Sequence, residues 1–200
     1  MNRVVARIFI ASGIIIGCQV ANAGSGPVRP KKNGPAPKAD VTLKLPAGFS
    51  ATAISESTGR ARHIAVNTNG DVYVKLERLR NGKGIVVLRE KNGKTTEVNS
   101  FGDFPGSGIA IKNGYLYATS DEAVYRYKFN GKNEISPSEK PEKIITGLVN
   151  KRQHAAKTIA LDDAGNIYVN IGAPSNSCQI KDRVNGSKGM DPCPILDSAG

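Results

Sequence analysis

One pattern recurs three times along this chain, and it constrains the fold more than any other feature. The copies are Arg62-His63-Ile64-Ala65-Val66-Asn67-Thr68-Asn69-Gly70-Asp71-Val72-Tyr73-Val74, then Ser107-Gly108-Ile109-Ala110-Ile111-Lys112-Asn113-Gly114-Tyr115-Leu116-Tyr117-Ala118, then Lys157-Thr158-Ile159-Ala160-Leu161-Asp162-Asp163-Ala164-Gly165-Asn166-Ile167-Tyr168-Val169. Each reads as a strand, a tight turn and a second strand. The apolar triplet suits a strand buried on both faces. The Asn, Asp and Gly cluster supplies positive φ for the turn, and the x-Tyr-x run suits a second, half-buried strand. Ile64 and Ile109 stand 45 residues apart, and Ile109 and Ile159 stand 50 apart. A period of about 40 to 50 residues with several strands per unit is the mark of a β-propeller blade.

The stretches between the copies complete the count. After Val74 come Gly84-Ile85-Val86-Val87-Leu88-Arg89 and Thr95-Thr96-Glu97-Val98-Asn99-Ser100-Phe101, separated by an Asn92-Gly93 hairpin turn. After Ala118 come Val124-Tyr125-Arg126-Tyr127-Lys128-Phe129 and Lys143-Ile144-Ile145-Thr146-Gly147. Four strands per unit result. A β-sandwich would not require the same strand-turn-strand text at three places. The expectation is therefore an all-β propeller, with residues 41–200 forming its N-terminal part. About two and a half blades are present, too few to close a ring of four to eight, so the domain is expected to continue past Gly200. An open array leaves sheet edges exposed and is marginal alone.

Residues 1–23 read as a targeting signal rather than as fold. Arg3 and Arg7 precede an apolar run over residues 8–17, and Ala21-Asn22-Ala23 is the small-x-small text that a signal peptidase reads. The run is too short to cross about 30 Å of hydrocarbon, and no transmembrane helix follows it. Cleavage would leave Gly24 first and place the protein in the periplasm or outside the cell. Ile15-Ile16-Gly17-Cys18 also approximates a lipobox, the alternative being a lipid anchor on Cys18. Residues 24–40 carry Pro27, Pro30, Pro35 and Pro37 with almost nothing to bury, and read as an extended linker.

The net charge of +11 brings acidic partners and anionic surfaces into consideration, and only Arg3 and Arg7 would leave with the signal. A nucleic-acid role does not follow, because the chain has no Trp, shows no aromatic-basic interleaving on one face and is expected to be exported. Export also sets the cysteine chemistry. Cys178 and Cys193 remain as a pair in an oxidising compartment and are expected to form a disulfide. Closing a loop of about 15 residues stabilises by roughly 3 kcal/mol in the chain-entropy account. With no His or third Cys beside them, the two do not resemble a zinc site.

Propellers bind ligands at the channel mouth, but the residues must argue the chemistry. The chain has two histidines. His63 directly precedes an apolar triplet, where a packing or turn role fits. His154 lies in the loop Gln153-His154-Ala155-Ala156-Lys157-Thr158, with no apolar run around it. A loop histidine can act as general base toward a substrate hydroxyl, a role worth about 10²- to 10⁴-fold, or it can be a structural or surface histidine.

The run His154-x-x-Lys157-Thr158-Ile159-Ala160-Leu161-x-x-x-Gly165-Asn166-Ile167-Tyr168-Val169-x-Ile171-Gly172, followed by Ala173-Pro174-Ser175-Asn176-Ser177-Cys178, resembles the quinoprotein glucose and sorbosone (pyranose) dehydrogenases. Leu45-Pro46-Ala47-Gly48-Phe49 and Asp121-Glu122-Ala123-Val124-Tyr125-Arg126-Tyr127 extend the resemblance over nearly all of the chain after the linker. It implies an exported six-bladed propeller that binds pyrroloquinoline quinone (PQQ) and calcium, and hydride transfer from a sugar carbon to the quinone carbonyl. His154 would take the hydroxyl proton, calcium would polarise the quinone oxygens, and Lys157 would set positive charge near the quinone carboxylates, with Thr158 beside it at the cofactor. An electron acceptor such as a dye, cytochrome or quinone would complete the cycle. The glucose-oxidising branch has Arg where this chain has Thr158 and an acidic residue where it has Ala173, which favours the sorbosone or pyranose-like branch. The calcium ligands and most quinone-binding cations would lie beyond Gly200, and no metal-binding set is assigned within the chain. Two other classes are consistent with a propeller: a metal-dependent sugar lactonase, for which no carboxylate set is apparent, and a non-catalytic binding propeller.

Overall fold

The computed structural model describes residues 43–150, 154–172, 178–181 and 183–190, together with the backbone of two strands near the N-terminus. Every regular element among these is a β-strand. The expected cleavage point, the linker over residues 24–40, residues 173–177 of the motif after Gly172, and Cys193 lie outside the described residues. The chain divides into two compact units, Met1–Asp103 and Phe104–Gly200.

In the first unit, β1 (Val5–Ile10), β2 (Ile14–Val20) and β3 (Phe49–Ser55) form an antiparallel sheet in that order. The pairing of β1 and β2 lies within the stretch read as a targeting signal. Isoleucine-rich, β-branched text has high strand propensity wherever an edge is free to receive it, and β3 offers one.

The rest of this unit is one blade. β4 (Ala61–Val66), β5 (Val72–Arg80), β6 (Lys83–Lys91) and β7 (Lys94–Phe101) pair antiparallel in chain order. Asn92 and Gly93, at φ 55° and 76°, close the β6–β7 hairpin in the left-handed geometry that a two-residue turn demands. The same device, Asn81-Gly82, joins β5 to β6. Val72, Val74, Leu76, Val86 and Leu88 form a buried cluster against which Ile54, Ala61 and Ile64 pack.

The burial reverses what the repeat suggests. The Val72-Tyr73-Val74 strand is fully buried, while β4, carrying the apolar triplet, is half exposed. Sheet order explains this: β4 is an edge strand, whereas β5 has a hydrogen-bonded neighbour on each side. The turn between them is pinned by Asp71, whose buried carboxylate accepts from Arg89 Nε and Nη2, both at 2.6 Å.

The second unit repeats the design. β8 (Ile109–Lys112), β9 (Tyr115–Thr119), β10 (Ala123–Lys128) and β11 (Glu142–Thr146) make a four-stranded antiparallel sheet in which neighbours in sequence are neighbours in space. β12 (Ile159–Leu161) and β13 (Ile167–Val169) form the opening hairpin of a third copy. Here too the tyrosine-bearing β9 is more buried than the apolar triplet of β8. Phe104 stacks on Tyr125 with ring centroids 3.9 Å apart, and Leu116, Val124 and Tyr127 are fully buried. Two four-stranded sheets and a begun third are the all-β, blade-by-blade architecture that the repeat predicts. Among the described residues, no helix is long and apolar enough to cross a membrane.

Candidate functional site

The three copies place polar residues at one structural register, the end of the first hairpin of each blade. His63 faces Lys75 across β4 and β5. Gly108 and Thr119 exchange backbone and side-chain hydrogen bonds, and Thr158 and Asn170 do the same. His63 is exposed on β4.

The second unit contains the residues singled out for chemistry. His154 sits just before β12, exposed and at φ 48°, a left-handed conformation rarely taken by a residue with a Cβ. Three residues on, the Lys157 side chain is buried and folds back so that Nζ donates to the Ala155 carbonyl at 2.6 Å. Burial holds the Lys157 ammonium below its ordinary range, opposed in part by the Asp121 carboxylate. The Thr158 hydroxyl donates to Asn170 Oδ1 at 2.6 Å, and its backbone N–H donates to the same oxygen at 2.5 Å. The three sequence-assigned residues thus lie on one short segment, each fixed differently.

That segment is anchored from the preceding blade. The Lys157 carbonyl accepts from Thr119 Oγ1 at 2.6 Å and from Ser107 Oγ at 3.1 Å. Thr119 Oγ1 in turn accepts from the Gly108 N–H at 2.9 Å. A Cβ at Gly108 would come within 2.6 Å of the Lys157 carbonyl oxygen and 2.7 Å of Thr119 Oγ1, so only glycine allows this approach. Ser107, Gly108, Thr119, Asn170 and Gly172 were not visible as site residues in the sequence. Aligning the copies one residue past the x-Tyr-x run, at Lys75, Thr119 and Asn170, is the signal that finds the hairpin-end polar position.

Cys178 is disulfide-bonded. The chain after it doubles back, with Gln179 bridging Gly189 and the Met190 N–H donating to the Cys178 carbonyl at 2.6 Å. Cys193, its expected partner, is outside the described residues.

The donor set has the chemistry that a quinone with several carboxylates requires in part. There is an exposed histidine for proton transfer and, three residues on, a buried cation bonded to the Ala155 carbonyl, while the Thr158 hydrogen is already committed to Asn170. No group of three or more potential metal ligands occurs among the described residues.

The repeat architecture and this segment define a blade-built protein whose candidate site lies at the start of a blade. The family model described as TrAA12-like matches residues 43–188, and the chain belongs to that family. Among solved structures, the chain is similar to the PQQ domain of pyranose dehydrogenase from Coprinopsis cinerea, in its holo form, with 18% identity and a TM-score of 0.56 over 72% of this chain and 34% of that one. It also matches iodide and calcium structures of a Trichoderma reesei carbohydrate-active enzyme of family AA12. Both matches have 24% identity and a TM-score of 0.47 over 58% of this chain, covering 31% and 30% of the other. No curated protein matches with significance. The chain spans about a third of the length of these solved relatives.

Proposed function

We propose that this chain is the N-terminal part of an exported quinoprotein dehydrogenase that oxidises a sugar or sugar aldehyde of the sorbosone or pyranose type. Membership of the TrAA12-like family supports the class. The observation that carries the reading is the placement of His154, exposed and held in a left-handed turn directly before β12, with the buried Lys157 cation bonded to the next residue's carbonyl.

His154 accepts the proton of the sugar hydroxyl as the carbon beneath it loses hydride, which leaves a carbonyl. PQQ, when bound, supplies the two-electron acceptor for that hydride. Lys157, three residues along the same segment, contributes positive charge that favours an anionic cofactor. Thr158, its proton given to Asn170, keeps a lone pair for a donor on the ligand. Calcium bound by residues past Gly200, a separate electron acceptor, and export directed by residues 1–23 complete the proposal. The PQQ domain of pyranose dehydrogenase from Coprinopsis cinerea, to which the chain is similar, is a quinone-binding domain in its holo form and supports the quinone.

The test uses the full-length protein, purified without cofactor. PQQ and calcium are added, and dye reduction is followed across a panel of aldoses and sorbosone, with His154→Ala alongside. The expected result is quinone-dependent reduction, lowered at least about 10²-fold in kcat by the substitution. Folded protein that binds no quinone would overturn the reading and leave a binding propeller.

A further inference from the structure

Gly172, three residues beyond the end of β13, lies directly against His154. A Cβ built on Gly172 would meet the Cβ of His154 and would come within 2.6 Å of the His154 carbonyl oxygen. The obstacle includes backbone, so no rotation of a flexible side chain relieves it. Gly172 is not among the glycines with positive φ, so alanine there would suffer from lack of space alone.

Its partner in the contact has the opposite character. His154 carries a Cβ in a left-handed conformation that costs free energy, and such a conformation persists only where the surroundings over-determine it. Its surroundings include the bare Cα of Gly172 packed against it and, three residues along the chain, the Lys157 carbonyl clamped by Thr119 and Ser107.

We infer that Gly172 is a positioning residue for His154, its missing side chain being the space that lets the imidazole-bearing residue sit in its left-handed turn at the blade entrance. The inference deepens the proposed function and rests on His154 acting as base there. A base displaced by about 1 Å can lose on the order of 10² in rate with binding intact.

The experiment compares Gly172→Ala with Gly165→Ala in the full-length protein. Gly165 belongs to the β12–β13 turn of the same hairpin, at φ 87° with open space around it, so alanine there strains the backbone without touching His154. Gly172→Ala is expected to lower kcat about 10²-fold while the sugar KM and quinone binding stay within a few-fold. Gly165→Ala is expected to lower Tm and leave kcat alone. Equal kcat in folded Gly172→Ala and parent would overturn the inference.

A second measurement needs no activity. In apoprotein, the Tm loss from Gly172→Ala is expected to shrink on a His154→Gly background, where one Cβ is gone and the left-handed turn is relaxed. A Tm loss independent of residue 154 would overturn the contact. If Gly172→Ala alone does not fold, recovery of folding in the double variant supports the inference and failure to recover overturns it. An inactive parent with a coupled Tm cycle would instead sink the dehydrogenase reading and leave the contact standing.

Discussion

Thr119 Oγ1 donates to the Lys157 carbonyl at 2.6 Å while accepting from the Gly108 N–H at 2.9 Å, so one buried hydroxyl joins the second blade to the entrance of the third. Valine has nearly the same shape and neither capacity. Thr119→Val should therefore leave a buried N–H unpaired and remove one of two donors to the carbonyl, a loss of about 1–3 kcal/mol. Urea unfolding at unchanged slope measures it, and Thr119→Ser, which keeps the hydroxyl, should recover most of the loss. A Val variant as stable as the parent would show that Ser107 alone secures the Lys157 carbonyl.

The Asp71–Arg89 pair predicts a larger effect in the first unit. The carboxylate is almost fully buried, yet it accepts two short bonds from one guanidinium and a third from Asn69 Nδ2 at 3.0 Å. Removing the acceptor deletes three hydrogen bonds to a buried carboxylate, together a loss of about 3 kcal/mol. Asp71→Ala is expected to lower the unfolding midpoint accordingly. Arg60–Glu77, exposed on both sides, should contribute nothing measurable by the same assay.

Lys157 makes a prediction in pH. Burial lowers its folded proton affinity below the ordinary value near 10.5. Between the folded and unfolded values the unfolded chain binds more protons, so stability rises with pH across that alkaline window. Below the window the charged form is present in both states and the desolvation penalty is felt in full. Lys157→Met removes the penalty. The difference in unfolding free energy between parent and variant should therefore move in the parent's favour as pH rises toward about 10.5. A flat difference would show that the Ala155 carbonyl solvates the ammonium as well as water does.

The repeat made the blades legible because its turn text is self-sufficient: Asn113-Gly114 and Asn92-Gly93 take the left-handed angles that their residue types favour, whatever surrounds them. Burial was not legible to the same degree. Whether Ile64-Ala65-Val66 or Val72-Tyr73-Val74 lies deeper depends on which strand is at the sheet edge, and that is a property of pairing rather than of either strand's own residues. The candidate site divides in the same way. His154 and Lys157 stood out by residue type, but Thr119 and Gly172 matter through contacts across 38 residues and 18 residues of chain, which no local pattern announces. The hairpin of β1 and β2 was hidden because signal text and strand text are both apolar and short.

That hairpin leads to the last prediction. β3 pairs with β2 from Phe49 to Ser55, and residues 1–23 contain both strands that cover it. If the signal is removed after Ala23, the exported protein begins at Gly24 and β3 loses this partner, leaving a row of backbone donors and acceptors open to another strand. Mass spectrometry of protein recovered from the periplasm or medium is expected to give a chain starting at Gly24. A chain starting at Cys18 with a mass increment for acyl groups would instead establish the lipid anchor. Recovery of exported protein that still carries Met1 would overturn the targeting reading and make β1 and β2 a permanent part of the first unit.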